Sequence, residues 1–595
     1  MGVELDKKIT KLLKKGQRQF DKTATKVAKH SRTFVWSRLD HIRIAKKNVV
    51  IWLCLMLLLI IASLAQAFIY NQQVISWAPT KGGTYAEGVV DKLTTVSPLY
   101  AKTDTEKAAS QLVYAGLLYY DTANKLHGKL ASSWSVDNSG QVWTVKLRDN
   151  IHWSDGHPIT SDDVTFTLGL MKNPLINTTL STAWSTINIE APDNKTVLFK
   201  LTSPLTSFDS ALNFGILPKH ILKDKKPIEI STMFNQNPQK IVGSGPLQIS
   251  NIEKIKENST WHFIPNQRYP GNKPDLNDFS IRTYNTNEAL VDGLKRGEVN
   301  AISNAKISDI KSLQANFDTK QVKTSNGVFV LFNNDHDIIK ENSVREALRL
   351  GLNRDHIRQD IVKQAPGFNP PTRLESPIAT GVYNVVDNLS QPNFDPKAAG
   401  DLLDQAGWKI AKNDTYRYKN NTKLVVNIVT IADTNYESIA KLVAKDWEKI
   451  GVKSQIKIVD PKEAQQNFLV PRNYDVLIYQ MHLGADPDMF AYWSSSQATP
   501  TGLNLANYKS RRAEIALSAG RTNTNPEARQ GRYLSFVKQW LADNPAIALY
   551  QPSLIYVTDP NVSTFHKGDS VIDASNRFAN ISNWSAKLAP VVTTP

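Results

Sequence analysis

The feature that most constrains this chain is an uncharged apolar run near its start, VVIWLCLMLLLIIASLAQAFIY, at residues 49–70. Only Ser63 and Gln66 within it are clearly polar. An α-helix rises 1.5 Å per residue, so about 20 such residues cross the ~30 Å hydrocarbon core of a membrane. We therefore predict one transmembrane helix over residues 49–70, followed by a main domain that contains most of the chain.

The charges beside the run predict its orientation. Residues 1–48 hold fourteen Lys/Arg against four Asp/Glu, a net charge of +10 out of +16 for the whole chain. By the positive-inside rule, this basic tail is cytoplasmic and the main domain is extracytoplasmic, so we expect a single-pass protein of the cell membrane. The small residues of Ala65-Gln66-Ala67 leave a cleaved signal peptide as the alternative, although 48 residues form a long segment ahead of such a run.

The composition of the main domain excludes some classes of function. Its charge is nearly balanced, at +6 once the tail is removed, which argues against a nucleic-acid groove. The only cysteine, Cys54, lies in the apolar run, so the main domain has no disulfide and no thiol nucleophile. We also find no G-x-S-x-G and no H-E-x-x-H motif, and we predict that the protein is not an enzyme, with no catalytic residues and no cofactor.

Hydrophobic periodicity predicts an α/β fold. Between about residues 422 and 483, strand-like segments such as TKLVVNIVTI alternate with the amphipathic helix YESIAKLVAKDWEKIG, which is typical of a parallel sheet. The strand-like segments GVFVLFNND and AIALYQPSLIYV stand on either side of this block. We interpret the block as a lobe placed between two crossings of the chain, as in a hinged two-lobe binding protein.

The stretch LRDNIHWSDGHPITSDDVTF, residues 147–166, has a composition that suggests a metal or acid–base site. Ser154-Asp155-Gly156 is a turn sequence, however, and Thr160 with Asp163 resembles a capping box ahead of a helix. His152 and His157 lack the i, i+4 spacing of a helical metal pair. We therefore predict a structural turn and cap, with no metal site.

The same region carries a family resemblance. The segment GKLASSWSVDNSGQVWTVKLRDNIHWSDGHPITSDDVTFTL resembles the signature of family 5 extracytoplasmic solute-binding proteins, the peptide-binding components of ABC importers. The matching positions are Leu130, Ala131, Trp134, Leu147, Arg148, Trp153, Asp155, Gly156, Pro158, Asp163 and Val164. Further segments that are similar to the family follow in order, among them VYAGLLYYD, VGSGPLQI, NSVREALRLGLNRDHI and NPAIALYQP.

The resemblance implies a type II periplasmic-binding-protein clamshell, an α/β fold of two lobes with an extra subdomain. With the membrane helix in front, the predicted division is a tail at 1–48, the helix at 49–70, a linker at 71–80, lobe I at 81–115, 241–334 and 544–595, an inserted subdomain at 116–240, and lobe II at 335–543. A ligand would be enclosed between the two lobes as they close.

The resemblance also implies the function and the partners. We expect a monomeric receptor that captures peptides or similar small solutes and delivers them to an ABC permease with its ATPase subunits. One alternative is a membrane-anchored surface receptor or sensor that uses the same fold. Another is a binder of a non-peptide ligand such as a metal chelate or haem.

The predicted ligand site is the segment YQMHLGADPDMFAYW, which follows a strand of the α/β block at its carboxyl end. Asp486 or Asp488 could neutralise an α-amino group, and Tyr492 or Trp493 could cover apolar ligand surface. Family peptide binders often carry an acid three positions before the proline of this segment, where this chain has Gly484, so a ligand with a blocked amino terminus remains an alternative. The predicted site also includes His482, and Trp184 from the inserted subdomain.

Overall fold

The computed structural model describes residues 46–236, 240–255 and 257–592. The chain forms two compact units, the larger of which spans Pro79–Leu588. The smaller unit contains a 29-residue helix, Lys46–Val74, and the paired terminal strands. Within this helix, Val49–Gln66 is long and apolar enough to cross a membrane, a property that signal sequences share.

The strands, in chain order, are β1 (Ile75–Pro79), β2 (Thr84–Val89), β3 (Leu118–Tyr120), β4 (Leu126–Gly128), β5 (Ala131–Val136), β6 (Val142–Leu147), β7 (Asn188–Asp193), β8 (Thr196–Lys200), β9 (Leu247–Ile255), β10 (Asn258–Pro265), β11 (Asp278–Thr283), β12 (Ala301–Ser303), β13 (Asp318–Thr324), β14 (Asn326–Phe332), β15 (Thr372–Arg373), β16 (Lys409–Ile410), β17 (Arg417–Lys419), β18 (Thr422–Lys423), β19 (Val425–Ile431), β20 (Lys453–Val459), β21 (Val476–His482), β22 (Ala546–Gln551), β23 (Ser553–Thr558), β24 (Ser570–Val571) and β25 (Leu588–Val592).

The α-helices are α1 (Lys46–Val74), α2 (Asp104–Val113), α3 (Ser161–Lys172), α4 (Thr178–Trp184), α5 (Lys219–Leu222), α6 (Pro227–Gln236), α7 (Asn287–Lys295), α8 (Ile307–Leu313), α9 (Asn342–Leu350), α10 (Arg354–Val362), α11 (Asn384–Asp387), α12 (Pro396–Gln405), α13 (Thr434–Glu448), α14 (Pro461–Ala464), α15 (Phe490–Trp493), α16 (Arg511–Thr522) and α17 (Pro526–Asp543).

Three sheets organise the larger unit. The first has eight strands in the order β24-β13-β23-β12-β2-β11-β10-β9, and the second has six in the order β15-β22-β14-β21-β19-β20. The third has four strands in the order β5-β6-β8-β7 and lies within the predicted inserted subdomain. The predicted α/β block is confirmed, because β19 pairs in parallel with both β20 and β21.

The centre of the second sheet is buried on both faces, as β14 illustrates. Phe329 and Leu331 point into one hydrophobic cluster, whereas Val328, Val330 and Phe332 point into another. Successive side chains of a strand alternate between faces, so a continuous apolar run such as GVFVLF belongs in a sheet that is covered on both sides. Helix α13 packs against the second of these clusters, and α17 packs against the first.

The chain passes between the first two sheets at two adjacent points. Ser325 separates β13 of the first sheet from β14 of the second, and Pro552 separates β22 from β23. The two crossings are hydrogen-bonded to each other, since the Thr324 hydroxyl donates to the Pro552 carbonyl at 2.7 Å. The segment AIALYQPSLIYV therefore forms two strands, because Pro552 has no N–H to continue the first ladder.

The position of these crossings bears on the predicted division into lobes. The sequence placed the lobe boundaries at 334/335 and 543/544, and these remain predictions. Because β14 and β22 both belong to the second sheet, we propose to draw the boundaries at Ser325 and Pro552 instead.

Candidate functional site

The predicted site segment follows β21 and is attached to the first crossing. The backbone N–H groups of Leu483 and Gly484 both donate to the Ser325 carbonyl, at 3.0 and 3.2 Å. Gly484 has a φ of +71°, a conformation that glycine adopts without steric cost. The loop Gly484–Met489 and helix α15 thus begin at the point where the chain passes from one sheet to the other.

Asp486 is paired within the protein. Both of its carboxylate oxygens accept from Arg529 of α17, Oδ2 from Nη1 at 2.9 Å and Oδ1 from Nη2 at 2.6 Å. Burial alone would lower the pKa of Arg529, but the hydrogen bonds and the charge of Asp486 outweigh it and raise that pKa. Bidentate pairs of this kind are the stronger ion pairs in proteins, so the charge of Asp486 is already balanced by Arg529.

Asp488 joins this loop to the segment around Ser207. Its Oδ2 accepts from the Ser207 hydroxyl at 3.0 Å and lies 3.1 Å from Nε of Arg521 in α16. The carbonyl of Arg521 in turn accepts from the backbone N–H of Thr206 at 3.0 Å and from its hydroxyl at 2.6 Å. The loop and the predicted inserted subdomain are therefore in direct contact.

His482 is the most exposed member of the predicted set, and Tyr492 lies in the same segment. The His482 side chain is half exposed, with Nδ1 at 3.1 Å from Oδ1 of Asn326 and 3.5 Å from Oδ2 of Asp573. Tyr492 is partly buried, and this burial raises its pKa. Since Asp573 follows β24 of the first sheet, His482 stands where the edges of the two sheets meet.

The two predicted tryptophans are packed in the protein interior. Trp493 is 1% exposed and makes edge contacts with Trp540 and Tyr508. Trp184 is 6% exposed and packs on Phe208 and Phe214. Neither ring offers apolar surface to a ligand in this conformation, and Trp184 reaches the loop only indirectly, through Phe208 next to Ser207.

A cavity of about 650 Å³ lies between the edges of the two sheets. It is lined by residues that follow β2 and β12, by the start of α13, by α10, and by the crossing at Tyr550–Ser553. Carboxyl ends of parallel strands are the usual ligand edge of an α/β sheet, and this volume is typical of small-ligand sites. None of the six predicted site residues lines this cavity.

Three aspartates lie close together at the first-sheet side of this cavity. Asp91 and Asp104 line the cavity, and Asp573 lies next to its lining residue Ala574. Burial, followed by the negative charge of Asp573, raises the pKa of Asp104, although Lys107 and Arg577 act against this. Within the described part of the chain, none of the three forms an ion pair with Lys or Arg.

Comparisons with known proteins identify the family of the chain. The family model described as bacterial extracellular solute-binding proteins, family 5 Middle, matches residues 125–502, which is more than half of the chain. The chain belongs to this family. The oligopeptide-binding protein AppA of Bacillus subtilis is 26% identical over 489 residues, covering 80% of this chain and 87% of that protein.

Solved structures share the fold. NikZ of Campylobacter jejuni, solved with Ni(L-His), superposes with a TM-score of 0.69 at 25% identity and covers 84% of this chain and 99% of its own. AppA of Bacillus subtilis, solved with a nonapeptide, gives a TM-score of 0.66 at 22% identity and covers 85% and 99%. The predicted fold, a type II two-lobe clamshell, and an extracytoplasmic solute-binding domain are thereby confirmed.

The sequence did not point to the partners of the site residues. Arg529 and Arg521 stand 43 and 33 positions away from Asp486 and Asp488, on separate helices, and no short motif joins them. Asp91, Asp104 and Asp573 come from three separate segments, and no sequence pattern links them. The one available signal was the position of Asp91 directly after a strand, in YAEGVVD.

Proposed function

We propose that this chain is the receptor of an ABC importer and that it captures peptides, or similar small solutes carrying a cationic group. It holds the ligand between its two lobes and delivers it unchanged to the permease and its ATPase subunits. The receptor acts as a monomer and is not an enzyme. The relative AppA, an oligopeptide-binding protein by name, supports peptides as the ligand class.

The observation that carries this proposal is the joining of two sheets by only two adjacent crossings, with a cavity of about 650 Å³ beside them. Two bodies joined in this way can rotate about the crossings, and contacts made only in the closed state favour closure. The hydrogen bond between Ser207 and Asp488 joins the loop after β21 to the predicted inserted subdomain, and we propose that it forms on closure.

The charge distribution supports a cationic ligand group. Asp104 carries a raised pKa because its ionised form is partly buried and lies close to another carboxylate. A peptide ammonium placed beside Asp104 and Asp573 would relieve that repulsion. We propose Asp104, Asp573 and Asp91 as the acidic part of the ligand site, with His482 and Tyr492 beside it. The predicted contacts of Asp486, Asp488, Trp493 and Trp184 with a ligand remain predictions. We propose that these four residues position the loop.

We propose further that residues 49–70 remain attached as a single membrane span, with residues 1–48 in the cytoplasm. The charge asymmetry of the flanking sequence supports this orientation. The basic tail then lies at the cytoplasmic face, where it can associate with anionic lipid.

A second candidate ligand is a metal chelate. The half-exposed His482 supplies an imidazole at the junction of the sheets, and the 25%-identical NikZ was solved with Ni(L-His).

The test uses the full chain in lipid nanodiscs. We expect peptide pools to raise the unfolding temperature, free-amine peptides to bind more tightly than their N-acetylated counterparts, and mass spectrometry to recover the bound peptide unaltered. A shift produced by nickel–histidine but by no peptide would replace the peptide proposal, and a change in the mass of the bound peptide would contradict the absence of catalysis.

A further inference from the structure

Three metal-ligating side chains meet on the surface of the predicted inserted subdomain, away from the inter-lobe cavity. They are Asp155 and His157 from the turn after β6, and His220 from α5. Their ligand atoms all lie within 4.8 Å of one another. The sequence predicted only a structural turn here, because the third group stands 63 positions beyond His157.

One carboxylate oxygen is shared by both imidazoles. Oδ2 of Asp155 lies 2.8 Å from Nε2 of His220 and 3.2 Å from Nδ1 of His157. The two rings are stacked, with centroids 4.2 Å apart and an interplanar angle of 22°. In a tetrahedral zinc site the ligand atoms stand about 3.3 Å apart, given metal–ligand distances near 2 Å, so small side-chain movements would admit a metal ion.

The segments that carry these groups are held in place by other contacts. The Ser154 N–H donates to the Gly243 carbonyl at 2.9 Å, and Gly156 has a φ of +98°, which fixes a tight turn. The Lys219 N–H, at the start of α5, donates to Oδ1 of Asp163 at 2.9 Å. Ligands on pre-positioned segments bind a metal with a smaller loss of conformational entropy.

The charge of the set also suits a cation. The set contains the carboxylate of Asp155, whose Oδ1 accepts from the His157 backbone N–H at 3.1 Å. Arg268 packs beside Gly156, which places one positive charge near the turn. Since this charge opposes a second cation, moderate affinity is the expectation.

We propose that Asp155, His157 and His220 bind a divalent transition-metal ion. Two imidazole nitrogens and one carboxylate oxygen form the donor set that Zn²⁺, Co²⁺ and Ni²⁺ accept, with water completing the coordination. The bound ion links the turn after β6 to α5, and so stabilises the inserted subdomain independently of the solute ligand.

The test uses the full chain in nanodiscs, produced without a histidine tag and stripped with EDTA. We expect calorimetry to show one Zn²⁺ bound per chain with a micromolar Kd, and Co²⁺ to give a visible absorption band that Zn²⁺ abolishes. His157→Ala should weaken binding by about tenfold or more, because it removes one of three ligands, and Asp155→Asn should do the same.

Two matched controls locate the site. His152→Ala alters the neighbouring histidine, whose Nδ1 lies 3.0 Å from the Asn150 carbonyl and outside the set. His566→Ala alters an exposed histidine outside both sites, whose Nδ1 lies 3.9 Å from Oδ2 of Asp569. Both should bind Zn²⁺ as the unaltered chain does. The absence of saturable binding in the unaltered chain, equal binding by His157→Ala, or an equal loss in either control would overturn the proposal. The unfolding temperature of metal-free His157→Ala verifies that this exposed substitution leaves the fold intact.

Discussion

Acidic side chains occur in two regions where the lobes meet, and their ion pairing differs between the two regions. In the loop after β21, Asp486 is paired with Arg529 and Asp488 with Arg521. At the edge of the first sheet, Asp91, Asp104 and Asp573 stand close together without such partners among the described residues. A matched carboxylate, meaning one that is paired with an arginine, already has its charge balanced by the protein. An unmatched carboxylate can still be stabilised by a cationic group of the ligand.

The comparison separates residues that hold the structure from residues that are available to a ligand. The sequence pointed to Asp486 and Asp488 because their segment follows a strand of the α/β block at its carboxyl end. Their arginine partners indicate that the two carboxylates fix the loop and its contact with Ser207. The acids of the first sheet are the better candidates for contact with the ligand, and three substitutions test this division.

The largest effect is expected at the most deeply buried matched acid, Glu87 of β2. Glu87 and Arg577 are 0% and 1% exposed, and Oε1 of Glu87 accepts from Nε of Arg577 at 2.8 Å. Arg577→Met leaves this carboxylate buried with hydroxyl partners alone, which come from Tyr85, Ser303 and Tyr556. Removing one partner leaves a buried charge without its counter-charge, so we expect the free energy of unfolding to fall by about 3–5 kcal/mol in urea denaturation.

A double substitution controls for the lost side-chain volume. Glu87→Gln combined with Arg577→Met also removes the unpaired buried charge, so the double variant should recover part of the lost free energy of unfolding. If the single variant loses less than about 1 kcal/mol in the free energy of unfolding, the buried pair does not stabilise the fold as proposed.

An intermediate effect is expected in the loop. Asp486→Asn leaves Arg529, whose side chain is 12% exposed, without its anionic partner. Because this pair is partly solvated, we expect a loss of about 1–3 kcal/mol in the free energy of unfolding. The matched control is Asp401→Asn, which breaks an exposed pair with Lys397 and should cost under about 0.5 kcal/mol. Equal stability of the two variants would contradict the structural role of Asp486.

The sequence predicted those parts of the molecule that depend on local pattern. Helix α13 covers most of the predicted amphipathic segment YESIAKLVAKDWEKIG, and the Asp433 side chain caps it by accepting from the Tyr436 N–H. The cap before α3 also follows the prediction, since Asp163 accepts from the Thr160 N–H. Capping and periodicity act over a few residues, so a single sequence contains the whole signal.

The features that the sequence did not predict depend on contacts between distant segments. Arg529 meets Asp486, and His220 meets Asp155, only because separate elements of the fold bring them together. The positions of the crossings likewise depend on which sheet β14 and β22 join, and the strand pattern of each segment is the same in either sheet. Charge matching at the site is therefore a tertiary property.

The smallest effect on the protein, but a specific one on the ligand, is expected for Asp104→Asn. This change removes an unmatched charge, so we expect the free energy of unfolding to change by less than about 1 kcal/mol. The affinity for a peptide with a free amino terminus should fall about tenfold, equivalent to about 1.4 kcal/mol, while the affinity for its N-acetylated form should not change.

Because the pKa of Asp104 is raised, protonation removes its charge at a higher pH than for an ordinary aspartate. The affinity of the unaltered chain should therefore decline as the pH falls through that raised pKa, and this decline should be weaker in the variant. Calorimetric titration of both peptides across this pH range measures the difference, and an equal loss for the acetylated peptide would assign Asp104 to the structural group with Asp486.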